Sequence, residues 1–137
     1  MVRSERHPRG LLDTSVVIDL ERVPIDSLPI EVAICAVTLA ELAAGPHATT
    51  DQDERGRRQD RLQRLEATFD PIPFGVNAAR AYGRVFAAVF EAGRKPRGAR
   101  AVDLLIAAVA AAEDLPLYTR NPDDFRSLGK MIEIVAV

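Results

Sequence analysis

Gly10-Leu11-Leu12-Asp13-Thr14-Ser15-Val16-Val17-Ile18-Asp19-Leu20 is the stretch that decides the fold. A short apolar run stops at a carboxylate, Asp13. Two small hydroxyl residues then lead into a second apolar run that reads as helix. The first run is short and does not alternate, which predicts a strand buried on both faces. A strand that hands over directly to a helix opens an α/β unit, and it leaves Asp13 at the strand's C-terminal edge.

The same alternation continues outward from that stretch. Residues 1–9 are polar and basic, with Arg3, Arg6, Pro8 and Arg9, and read as a flexible N-terminal tail. Residues 10–137 read as one domain with no linker, repeat or low-complexity segment. Strands are expected at 10–13, 31–35, 71–74, 115–119 and 131–137. Helices are expected at 14–21, 36–44, 54–69, 76–92 and 101–113, with a short one starting near Asn121. Gly45-Pro46 and Gly93 stop two of them. Thr38 and Glu41 fit a capping box, with Thr38 as N-cap. The pattern predicts an α/β fold with a mostly parallel central sheet.

Composition narrows the chemistry. The chain has 137 residues, 47% of them hydrophobic, which suffices for one real core. Net charge is −2, so overall charge does not announce a polyanionic partner. One cysteine, Cys35, excludes an internal disulfide framework. With only His7 and His47 besides, a zinc or iron centre is a poor fit. Carboxylates are the ligands left, and they suit Mg2+ or Mn2+. No secretory signal is visible, and the most apolar stretch, 104–112, is too short to span a bilayer. The expectation is a cytoplasmic protein.

Topology gathers the acids. In a parallel sheet, a helix that follows a strand and a helix that precedes one both begin at the C-terminal edge. Asp13 ends the first strand, and Glu41 lies early in the helix after the second. Asp103 opens the helix before the fourth strand, and Asn121 and Asp124 follow that strand. All fall where open α/β sheets bind ligands. Each has a plainer reading: Asp13 as an N-cap, Glu41 as the capping-box partner of Thr38, and Asp124 as a solvated acid at a helix start. Asp103 is hardest to dismiss, because its helix continues Leu104-Leu105-Ile106-Ala107-Ala108-Val109 and reads as buried all round. A carboxylate there needs a cation, either Arg100 or a metal.

Several carboxylates at one edge repel one another unless divalent cations neutralise them. Bound ions lower the pKa of a water and stabilise charge on a leaving oxygen, which suits phosphodiester hydrolysis. The basic loop Arg94, Lys95, Arg97 and Arg100 precedes Asp103 and would hold a phosphate backbone; its plain reading is a solvated loop. Glycine-rich phosphate loops and the G-x-S-x-G elbow are missing from the sequence.

Four segments, LLDTSVVIDL, TLAELAAG, AVDLLIAA and YTRNPDDF, resemble the signature blocks of PIN-domain ribonucleases, and most closely the VapC toxins of bacterial toxin–antitoxin pairs. The resemblance runs from Gly10 to the C-terminus, in order and spacing. It implies a three-layer α/β/α fold with a sheet of about five strands. It implies an endoribonuclease dependent on Mg2+ or Mn2+ that cuts RNA, often tRNA or ribosomal RNA, and blocks translation. Carried over by motif, the acids are Asp13, Glu41, Asp103 and Asp124, serving as catalytic residues and metal ligands. Ser15 and Thr119 match hydroxyls that orient the acids. Asn121 stands where many relatives have an acid, so the fourth ligand is Asp124 or Asn121. The resemblance also implies a homodimer and a cognate antitoxin that occludes the acidic groove. Tyr82, Phe86 and Phe90 either serve such contacts or pack on the sheet. The rival reading is a non-catalytic module of the same fold that binds RNA or protein.

Overall fold

The computed structural model describes residues 6–94 and 99–137. Strand β1 (Arg9–Leu12) leads through helix α1 (Thr14–Ile18) to β2 (Glu31–Ala33) and α2 (Ala36–Ala44). Three long helices follow: α3 (Gln52–Thr68), α4 (Val76–Glu91) and α5 (Ala99–Glu113). Strand β3 (Leu117–Thr119), a 3-10 helix over Pro122–Leu128 and β4 (Ile134–Ala136) complete the chain. The sheet is wholly parallel, in the order β2-β1-β3-β4.

Side chains alternate across this sheet as the pleat requires. Leu11 and its partner Leu117 point to the face covered by α4 and α5, where Ala81, Val85, Val89, Leu104, Ala107 and Ala108 pack. Leu12 and its partner Tyr118 point to the other face, against Val16, Val17, Leu62 and Leu65. Helices therefore cover both faces, as expected of a three-layer α/β/α architecture. Gly10 is small because a Cβ there would stand 2.4 Å from the Tyr118 ring. Among the described residues, no helix is long and apolar enough to cross a membrane.

The sheet has four strands where about five were expected. The segment at 71–74 contributes a single parallel bridge, Cys35 to Ile72, outside the named strands. Pro71 and Pro73 flank Ile72 and carry no N–H, which an edge segment tolerates on its outer side, while Ile72 donates inward. It does so to the Ile34 carbonyl at 2.9 Å, and its own carbonyl accepts from Ala36 N–H at 2.8 Å.

That second bond also corrects the expected capping box. Helix α2 begins at Ala36 with Cys35 as its N-cap, two residues before Thr38. The Ile72 carbonyl satisfies the first helical N–H, so no Thr38 cap is needed. Thr38 is instead fully buried within the first turn. The first helix is shorter than expected and gives way to a 3-10 turn at Leu20–Arg22. The basic N-terminus is fastened earlier than expected: Arg6 donates to the carbonyls of Leu28 and Pro29, and His7 contacts Glu133. Residues 1–5 lie outside the described residues.

On α4 the aromatic residues divide. Ala78, Ala81, Val85 and Val89 take the core positions, while Phe86 and Phe90 are exposed. The reading in which these two phenylalanines pack on the sheet is therefore overturned.

Candidate active site

The chain runs outward from β1 to β2, then returns to place β3 on the other side of β1. The crevice at the C-terminal ends of β1 and β3 is thus the topological switch point, the usual ligand site of such sheets. Asp13 leaves β1 at that crevice and is only 3% exposed. Its Oδ1 accepts from Ser15 Oγ at 2.5 Å and from Val16 N–H at 3.2 Å. Asp13 is therefore an N-cap, as one reading held, yet both of these bonds fall on one oxygen. Ser15 Oγ in turn accepts from Arg120 N–H at 3.1 Å, which ties α1 to the end of β3.

Glu41 projects from the second turn of α2. Its Oε1 accepts from Thr14 Oγ1 at 2.5 Å, and Thr14 Oγ1 lies 3.1 Å from Thr38 Oγ1. The capping-box alternative for Glu41 is removed, because its partner is a residue of α1 rather than the start of its own helix.

Asp103 comes from the first turns of α5, whose following residues Leu104 and Ile106 to Ala110 include fully buried positions. Its carboxyl is pushed up to about 6 by burial first, then by the negative charges of Asp13, Asp124 and Glu41, with Arg100 opposing. Four acids from four separate elements therefore share one electrostatic site. No Asp103–Arg100 ion pair occurs among the described residues.

Asp124 rides on the 3-10 helix after β3, and that main chain is held by two arginines. Arg94 Nη1 donates to the Asp123 carbonyl at 2.9 Å, and Arg100 Nη1 to the Asp124 carbonyl at 3.3 Å. Two of the residues expected to hold RNA thus bind the backbone that carries the fourth acid. Lys95 and Arg97 lie outside the described residues. Thr119 is fully buried, and its Oγ1 accepts from Asn121 N–H at 3.0 Å. It orients the main chain at Asn121 rather than a carboxylate. Asn121 is exposed and its side chain makes no cap bond, while the charge of Asp124 acts on Asp103. Asp19 pairs with Arg120 at 3.7 Å and Asp123 is exposed, both as ordinary surface acids.

Sequence reasoning missed the roles of Thr14 and Thr38. The signal was present in the paired hydroxyls after Asp13, but the partner of Thr14 lies 27 residues away.

The donor set is all oxygen, with no imidazole or thiolate in it, and it concentrates negative charge. Those properties fit a hard divalent cation such as Mg2+ or Mn2+. Among the described residues, no three His, Cys, Asp or Glu side chains stand close enough together to hold a metal ion as they are.

Comparison with known proteins identifies the family. The PIN-domain family model matches residues 10–131. Ribonuclease VapC5 of Mycobacterium tuberculosis is 38% identical over 133 residues, covering 93% of this chain and 95% of that protein. Ribonuclease VapC of Rickettsia bellii is 29% identical over 131 residues, with the same coverage. Among solved structures, a VapBC-5 toxin–antitoxin member from M. tuberculosis superposes with a TM-score of 0.80 at 36% identity, covering 95% of this chain and 99% of that one.

Proposed function

The chain belongs to the PIN-domain family, and from that premise we propose that it is an Mg2+- or Mn2+-dependent endoribonuclease, the toxin of a toxin–antitoxin pair. The observation that carries the reading is the convergence of Asp13, Glu41, Asp103 and Asp124 on the switch-point crevice, expressed in the raised pKa of Asp103. Residues 10–137 form the nuclease domain. The substrate is RNA, with tRNA or ribosomal RNA as the target whose cutting blocks translation. The partner is a cognate antitoxin, in keeping with the VapBC assembly of its structural neighbour.

Asp13, Glu41, Asp103 and Asp124 are the groups that would hold the cation. When bound, it supplies a water of lowered pKa and positive charge beside the leaving oxygen. The chain's own contribution is orientation. Ser15 and the Val16 N–H fix Asp13 Oδ1, Thr14 fixes Glu41 Oε1, and Arg94 and Arg100 hold the main chain that carries Asp124. The basic segment Arg94, Lys95, Arg97 and Arg100 raises the local concentration of a phosphate backbone while the acids address one linkage. The exposed Phe86 and Phe90, with rings 6.4 Å apart and nearly parallel, support an association face for a homodimer.

The test is cleavage of total cellular RNA by purified protein in Mg2+ or Mn2+, with EDTA and Asp103→Asn as controls. Discrete fragments that vanish in both controls are expected. Fragments that persist in Asp103→Asn would remove Asp103 from its role. Absent cleavage together with absent Mn2+ binding would favour the non-catalytic module.

A further inference from the structure

We propose that Thr14, backed by Thr38, is the positioning residue for Glu41: a hydroxyl relay from α2 through α1 holds that carboxylate in the crevice. This rests on the metal-binding role proposed for Glu41. A count of protons sets the direction of the relay. Thr14 Oγ1 carries one hydrogen and faces Glu41 Oε1 at 2.5 Å and Thr38 Oγ1 at 3.1 Å. The Glu41 oxygen is the acceptor, so the Thr14 proton goes to Glu41. With that proton committed, the 3.1 Å contact is a hydrogen bond only with Thr38 as its donor.

Thr38 is fully buried, at a site where valine would fill the same space without a polar atom to satisfy. Buried hydroxyls persist when they are hydrogen-bonded. Behind it lies Cys35 Sγ at 4.0 Å, whose thiol is pushed up by burial and so retains its proton. Each hydroxyl that donates while accepting is a stronger donor for doing so. The relay therefore strengthens the single bond that fixes Glu41, and it couples the first residue of α1 to the second turn of α2. Asp13 adjoins Thr14 in sequence, so the spacing of two of the acids is set through one residue.

The experiment compares Thr14→Val, which keeps the shape and removes the hydroxyl, with Thr14→Ser, which keeps the hydroxyl. Mn2+ affinity is read by calorimetry, and the order of Glu41 by the carboxyl carbon resonance of labelled, metal-free protein. Thr14→Val is expected to weaken Mn2+ binding by roughly tenfold, the scale of lost outer-shell contacts to metal ligands. It should also shift or broaden the Glu41 resonance, and Thr14→Ser should restore both. In a Glu41→Ala background, Thr14→Val should change Mn2+ affinity no further. Thr38→Val should show the same pattern more weakly. A Glu41 resonance unmoved by Thr14→Val, or equal defects in the Val and Ser variants, would overturn the proposal. A parent protein that binds no Mn2+ while its Glu41 resonance responds to Thr14→Val would refute the metal reading and retain the positioning role.

Discussion

Replacing Asp103 by asparagine should stabilise the metal-free protein at neutral pH, and the gain should vanish as the pH falls. The Asp103 carboxyl titrates at about 6 in the folded protein against 3.8 for the free side chain. The folded state therefore binds the Asp103 proton more tightly than the unfolded state does. Stability from this group is complete below 3.8 and is lost as pH rises through about 6. At about 1.4 kcal/mol per pH unit, the ceiling on that loss is about 3 kcal/mol. Asp103 is only partly buried, so solvent screening reduces it to about 1–2 kcal/mol. Asparagine carries no charge at any pH and escapes the penalty.

The assay is thermal or urea unfolding of both proteins in EDTA, from about pH 7.5 down to about pH 4, where Asp103 becomes protonated in the native state. At about 4 °C per kcal/mol for a domain of this size, the variant should melt roughly 4–8 °C higher at neutral pH. The two should converge at the acid end. Glu54 acts in the opposite sense, because Arg57 and Arg58 lower its pKa. It loses its pairing at low pH in both proteins alike, so the difference between them isolates Asp103. A variant less stable than the parent at neutral pH would refute the reasoning. So would a difference that does not change with pH.

Three further outcomes follow from the same geometry. Mn2+ at a hundredfold its dissociation constant should stabilise the parent by about 2.7 kcal/mol in a melt, with EDTA reversing the effect; no shift would contradict the metal site. Arg100→Ala should slow single-turnover RNA cleavage roughly tenfold by freeing the Asp124 main chain, and an unchanged rate would deny that role. Gly10→Ala sets a Cβ against the buried Tyr118 ring, so unfolding should show a loss of about 1–3 kcal/mol, and an unchanged stability would deny that contact.

Local patterns revealed most of this architecture and failed where a distant segment intervened. The handover from Leu12 to Asp13 to Thr14 carries its meaning within a few residues, and the parallel sheet and acid convergence followed from it. The apolar residues around Ile72 suit a full strand. Its partner turns into α2 at Ala36, so the pairing stops at one bridge. Thr38 and Glu41 matched a capping box, yet the Ile72 carbonyl already satisfies the start of α2, and the pattern served another purpose. No local rule announces that Thr14 reaches Glu41 or that Arg94 and Arg100 grip the chain at Asp123 and Asp124. Those contacts exist only once the sheet has brought distant segments together.

The positioning contacts and the charge penalty belong to one physical design. Each of the four acids is held by a different device: a hydroxyl and a helix N–H for Asp13, a threonine relay for Glu41, an apolar helix for Asp103, and arginine-held main chain for Asp124. Arg100 offsets only part of the charge on Asp103, and the devices keep like charges in one crevice against their repulsion. The metal-free fold is therefore least relaxed at the place where a cation fits best. This links stability and activity with opposite signs. Neutralising Asp103 should strengthen the empty fold and silence the enzyme, whereas cutting an orienting hydroxyl should impair metal binding without relieving the repulsion. A purely structural acid cluster would show neither half of that pattern, because its carboxylates would be matched by cations and their loss would weaken the fold.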